Sequence, residues 1–240
     1  MLLSLLSSEL LKIRKTKVWL LLFVSPILAG VIGFTGSLPM EEGMNGWVLL
    51  FMVMVPVHSL LLLPLMVSVF SGFICRYEHQ NGGWRRLFSM PITRQKVYAA
   101  KFLMVLGLVA LNQMMFSGVF VLVGSIKEIG ETIPLELVLK CMAGGLISTL
   151  PLIAVTLWLA MIWSSFAAPF TVNVILTLPN MLVANSETFG PIYPWVQPFM
   201  MMMPKGGVFS VPIESLTIAI GAGFIIFYTA GSINIQKRTV

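Results

Sequence analysis

Charge is missing from long stretches of this chain, and that limits what it can fold into. No Asp, Glu, Lys or Arg occurs in residues 18–40, 43–75, 102–126, 141–186 or 215–236. A membrane-spanning helix needs about 20 consecutive apolar residues, and each stretch supplies them. The 141–186 stretch would run roughly 69 Å as one helix at about 1.5 Å per residue. That is about twice the ~30 Å hydrocarbon core, so it must fold back. The turn falls at Trp163-Ser164-Ser165-Phe166, with Pro169 in the first turn of the next helix. Six spans result, at about 18–37, 47–74, 98–124, 138–163, 167–185 and 214–233. Composition agrees: 58% of residues are apolar and 10% charged, where a soluble domain has about 25% charged. The fold class is all-α integral membrane, one transmembrane domain over 1–240.

Basic residues near span ends set orientation. Lys12, Arg14, Lys15, Lys17, Arg76, Arg85, Arg86, Arg94, Lys96, Lys101, Lys237 and Arg238 fall on one side. Lys127, Lys140 and Lys205 fall on the other, with Glu41, Glu42, Glu128, Glu131, Glu136, Glu187 and Glu214. Both termini are therefore expected in the cytoplasm, at the cell membrane. The net charge of +6 reflects topology in a lipid bilayer and is not a nucleic-acid footprint. Cys75 and Cys141 lie near opposite faces, too far apart for a disulfide.

Two segments lie outside the spans. Residues 1–17 are too short and too charged to cross. Leu2, Leu6, Leu10 and Ile13 recur at helical spacing, with Ser4, Ser8, Lys12 and Lys15 on another face. This is an amphipathic interfacial helix, either a topogenic anchor or an elbow packed on the bundle. Residues 191–212 hold Pro191, Pro194, Pro198, Pro204 and Pro212 around Tyr193, Trp195, Phe199 and Met200–Met203. One continuous helix is impossible at that proline density. The segment is an apolar outer loop or a broken, re-entrant hairpin before the last span, which needs protein or water cover. Met200, Met201, Met202 and Met203 then offer a soft surface for a hydrophobic substrate.

The span cores hold few polar groups: His58, Asn112, Gln113, Asn173 and Asn180. The His reads as a packed residue. The amides read as interhelical hydrogen bonders or, alternatively, as substrate-path contacts. An ion-coupled carrier usually places ionised groups in the membrane, which argues against that class.

All nine acidic residues are Glu, with no Asp, so Mg-nucleotide chemistry through an Asp ligand has no residue to use. No G-x-x-x-x-G-K-[ST] loop occurs. The chain is expected to bind no cofactor and to be no enzyme. If it moves anything, the energy comes from a partner.

The loop after span two, residues 75–97, carries the most information. Gly82-Gly83 can end the helix arriving through Glu78. Trp84, Leu87 and Phe88 with Arg85 and Arg86 form a short amphipathic turn, Pro91 breaks it, and Thr93 suits an N-cap before Arg94 and the helix into span three. Tryptophan and arginine are common interface anchors. Such a loop either supplies topogenic positive charge alone or, as its Glu-x-x-x-Gly-Gly-Trp and Ser-Met-Pro-Ile-Thr-Arg pattern favours, docks a partner.

At Glu78, Gly83-Trp84, Leu87-Phe88-Ser89-Met90-Pro91-Ile92-Thr93-Arg94 and Lys101 the chain resembles permease subunits of ABC-2-type transporters. With Trp84 and Val97-Tyr98 it is most similar to lantibiotic- and bacitracin-type immunity permeases. The resemblance implies a cytoplasmic coupling helix against a separate ABC ATPase that holds the ATP and Mg. It further implies a homodimer or a heterodimer with a related permease, and export or extraction of an amphipathic substrate such as an antimicrobial peptide. In that reading Trp84, Leu87 and Phe88 enter an ATPase groove, Arg85, Arg86 and Arg94 pair with its acidic rim, Glu78 orients the loop and Pro91 fixes the turn. The alternatives are a cation or small-drug permease, or a non-transporting scaffold or sensor.

Overall fold

The computed structural model describes residues 2–14, 16–37, 44–80, 82–203 and 212–237. Lys15, Glu41, Glu42, Lys205, Arg238 and the 204–211 part of the expected hairpin lie outside them. Among the described residues the secondary structure is helical throughout, in thirteen α-helices and one π-helical segment. These are α1 (Leu2–Arg14), α2 (Val18–Leu21), α3 (Val24–Thr35), α4 (Gly46–Val55), the π segment Pro56–Leu62, α5 (Leu63–His79), α6 (Gly83–Phe88) and α7 (Arg94–Ile126). Then come α8 (Leu135–Ser148), α9 (Leu150–Ile162), α10 (Ala167–Thr177), α11 (Asn180–Val183), α12 (Gln197–Met202) and α13 (Ile213–Lys237).

Five helical stretches are long and apolar enough to cross a membrane: Val18–Thr35, Gly46–His79, Arg94–Ile126, Leu135–Ile162 and Ile213–Lys237. The expected span at 167–185 is a shorter apolar helix, Ala167–Val183, stepped at Pro179 between α10 and α11. The reversal at 163–166 separates α9 from α10.

Proline explains the irregular middle of the second long stretch. Pro56 starts the π segment and Pro64 follows its end. Proline lacks an N–H and leaves carbonyls one turn earlier without a donor. Inside lipid such groups need internal partners. Asn180 Nδ2 supplies one, donating to Leu60 O at 2.7 Å and to Trp195 O at 3.0 Å. Asn173 Nδ2 donates to Pro64 O at 3.0 Å, and its Oδ1 accepts from Trp195 Nε1 at 2.8 Å. Two asparagines thus tie α10, α11 and the following turn to the disrupted helix.

The described part of 191–212 is buried to a large extent. Trp195, Val196, Phe199, Met200 and Met202 are core residues, and Met201 and Met203 pack beside them. Helix α12 lies on α8 where two glycines leave room: a Cβ on Gly145 would sit 2.5 Å from Met202 Cγ. The small residues of α8 therefore receive α12, a use that spacing alone does not reveal.

Replacing Asn180 by Ala leaves the Leu60 and Trp195 carbonyls short of a donor. The expected cost is about 1–2 kcal/mol, against less than about 0.5 kcal/mol for Asn185→Ala at an exposed site. Thermal unfolding in detergent checks the difference.

Candidate functional site

One end of the bundle gathers the basic residues. Helix α1 packs on α7 and on the end of α5. Its buried face is Leu5, Glu9 and Ile13, spaced by four, whereas Leu3, Leu10 and Leu11 are exposed. Of the expected apolar stripe, Ile13 is buried, Leu6 is half-buried, and Leu2 and Leu10 are exposed. The packing face is rotated so that an acidic residue enters the contact and the leucines beside it face away from the protein.

Glu9 enters because two lysines meet it. Lys12 Nζ lies 2.7 Å from Glu9 Oε1 and 2.6 Å from Glu78 Oε1, and Lys101 Nζ lies 2.9 Å from Glu9 Oε2 and 2.7 Å from Glu78 Oε2. The four groups close a ring of alternating charge. Lys101 is fully buried and also donates to Ile74 O at 2.9 Å, so all three of its ammonium protons have acceptors. Each carboxylate uses both oxygens. Removing charge from water costs several kcal/mol per ion and is offset only by this kind of complete pairing. The ring joins α1, the end of α5 and the first turns of α7.

The loop is built on that ring. After α5 ends at His79, Gly82 adopts φ +69°, a left-handed conformation that glycine takes without a Cβ penalty. Gly83 passes so close to the helix that a Cβ would lie 2.7 Å from Glu78 Cα. Helix α6 follows and turns Trp84 inward. Its ring is 5% exposed, 5.4 Å from Phe88 and 5.9 Å from Lys101 Nζ, and its Nε1 donates to His79 Nδ1 at 3.2 Å. His79 Nε2 then donates to Ala160 O at 2.8 Å. Trp84 packs here as an internal anchor of the loop, where the sequence reading has it entering a partner's groove. An indole with its N–H satisfied inside gains by staying buried.

What faces outward is different. Arg85, Arg86, Ser89, Met90 and Pro91 are exposed, and Leu87 and Phe88 are half-buried. Arg94 is not a free rim charge: its guanidinium stacks 4.6 Å over Phe88 and donates to Gln236 O at 2.8 Å, capping carbonyls at the end of α13. A cleft of about 350 Å³ beside α6 is lined by Lys12, Tyr77, Gln80, Arg86, Leu87 and Met90 among others.

The intramembrane candidates are engaged in helix contacts. Asn112 Nδ2 donates to Leu22 O at 2.8 Å. His58 stacks on Phe116 at 4.0 Å, with Nδ1 2.6 Å from Ser25 Oγ and Nε2 3.3 Å from Gln113 Oε1. Gln113 Nε2 reaches Met202 Sδ at 3.6 Å.

Sequence reasoning finds Glu78 but misses Glu9, Lys12 and Lys101 as its partners. A signal exists. With seven Glu assigned to the far side, Glu9 and Glu78 are the two acids left among twelve basic residues, and an acid in that minority is a natural ion-pair partner.

The fold and this site define a multi-pass helical membrane protein with a rigid, cation-faced loop at one end. Residues 5–180 match the family described as ABC-2 family transporter protein, and the chain belongs to that family. It is thus a membrane transport component of the kind that works with an ABC ATPase. No curated protein matches the chain.

Lys101→Met leaves two buried carboxylates on Lys12 alone. The expected loss is about 3–5 kcal/mol, part of it recovered in Lys101→Met/Glu78→Met because no unpaired charge remains between α5 and α7; thermal unfolding reads both. Trp84→Ala removes the loop's anchor. Amides of residues 83–93 then exchange hydrogen at least tenfold faster by mass spectrometry, while those of α8 are unchanged.

Proposed function

We propose that this chain is the six-span permease subunit of an ABC exporter, paired with a second permease and driven by two ATPase subunits docked on residues 83–94. The observation that carries this is the charge ring. It fastens the docking loop to α1, α5 and α7 at once, so force applied to the loop reaches two long helices and the interfacial helix together. The exposed groups, Arg85 and Arg86 above all, meet the ATPase, while Trp84 holds the loop in shape behind them.

Parity supports six passages. Arg94 bonds the end of α13, and α1 packs at the start of α7, which supports placing α1 and the end of α13 on one face. Five full-length helices alone would leave them on opposite faces. In this reading α10 and α11 together make the sixth crossing, and α12 is the re-entrant part before α13. By the positive-inside tendency the shared face is cytoplasmic.

The substrate class we infer is amphipathic, such as an antimicrobial peptide taken from the membrane. Polar side chains in the span cores are committed to neighbouring helices, which favours a lipid-like cargo over a hydrated cation. Self-protection against a lantibiotic-type peptide fits this reading.

Arg85→Glu/Arg86→Glu is expected to abolish co-purification of the cognate ATPase, a loss of at least tenfold, with membrane insertion and thermal unfolding unchanged. Undiminished capture of the ATPase by this variant rules out the loop as its docking site.

A further inference from the structure

A cleft of about 360 Å³ opens between α1 and the end of α5, lined by Lys12, Ile13, Lys17, Phe73, Arg76 and Tyr77 among others. That volume is within the roughly 300–1,000 Å³ of small-molecule sites. The lining is divided. Ile13 is buried and Phe73 half-buried, giving an apolar floor, whereas Lys17, Arg76 and Tyr77 are exposed at the rim.

The charges are unequal in their commitments. Glu9 and Lys12 also border the cleft, but both belong to the ring, where two lysines and two glutamates cancel. Lys17 and Arg76 form no ion pair among the described residues. Two unbalanced cations therefore stand over an apolar floor. Their depth is fixed by α1, whose Leu3, Leu10 and Leu11 are 81%, 48% and 60% exposed. A helix with one such leucine flank lies in the membrane interface. The cleft opens at the level of phospholipid headgroups.

We propose that it holds the headgroup of an anionic phospholipid of the inner leaflet. The phosphate sits between the Lys17 ammonium and the Arg76 guanidinium, whose planar fork matches phosphate oxygens. The glycerol backbone lies against Tyr77, and the upper acyl chain runs over Phe73. A soluble anion would satisfy the cations but leave the floor uncovered; a zwitterionic lipid would cover the floor but bring its own cation. The inference rests on the cytoplasmic placement of this face, not on the ATPase or the cargo. Bound there, the lipid fastens the interfacial helix to α5 beside the charge ring.

The test uses the purified full-length chain in a neutral detergent, titrated separately with phosphatidylglycerol, phosphatidylcholine and glycerol 3-phosphate, with retention read by native mass spectrometry and stability by thermal unfolding. Phosphatidylglycerol is expected to be retained and to raise the unfolding temperature. Each cation near an anionic lipid contributes about a fivefold preference, so Lys17→Gln/Arg76→Gln should weaken retention by roughly twenty-five-fold. The charge-matched control Lys96→Gln/Lys237→Gln, at exposed positions away from the cleft, should retain the lipid as the parent does. Equal retention of phosphatidylcholine overturns the proposal, as does equal weakening in the control variant. Glycerol 3-phosphate binding as tightly as the lipid overturns it in favour of a free phosphate site. No loss in the cleft variant overturns it outright.

Discussion

Four charges closed into a ring hold this structure together where it matters most. Glu9, Lys12, Glu78 and Lys101 come from three helices, and three of the four are buried, so removing one leaves a buried charge short of a partner. An apolar contact of the same area would hold α1 loosely and tolerate sliding. Paired charges with every proton and oxygen assigned do not tolerate it. The loop that follows Glu78 inherits this rigidity through Gly83, which approaches the helix backbone, and Trp84, which roofs Lys101.

Elsewhere in the bundle the polar groups repair what proline disrupts. The carbonyls around Pro64 are met by Asn173 and Asn180, and those amides also reach Trp195 in the turn before α12. The short helices α10 and α11 could not hold their positions through apolar packing alone, since Ile175, Leu178, Met181 and Leu182 are largely exposed. Hydrogen bonding to a broken neighbour gives them a fixed seat.

Much of this was legible beforehand and some was not, for physical reasons. Charge-free runs locate the long helices because lipid excludes ions at any position along the span. Gly82-Gly83 and Pro91 mark the ends of α6 because their backbones admit few alternatives. The direction in which Trp84 points was not legible: an aromatic beside arginines reads as an interface anchor until His79 and Lys101 are seen beneath it. The packing face of α1 was not legible for a related reason. A leucine stripe ordinarily marks the buried side, but at a membrane surface the lipid competes for leucine while the protein competes for Glu9. Periodicity cannot separate two apolar solvents.

The hold of Arg94 on the last turn of α13 has a mechanical consequence. The opening helix and the closing helix of the chain are both clasped to one short elbow, the first by the ring and the last by a guanidinium. The loop therefore ties α1, α5, α7 and α13 into one unit, and a displacement of the loop is shared among these four helices rather than carried by one.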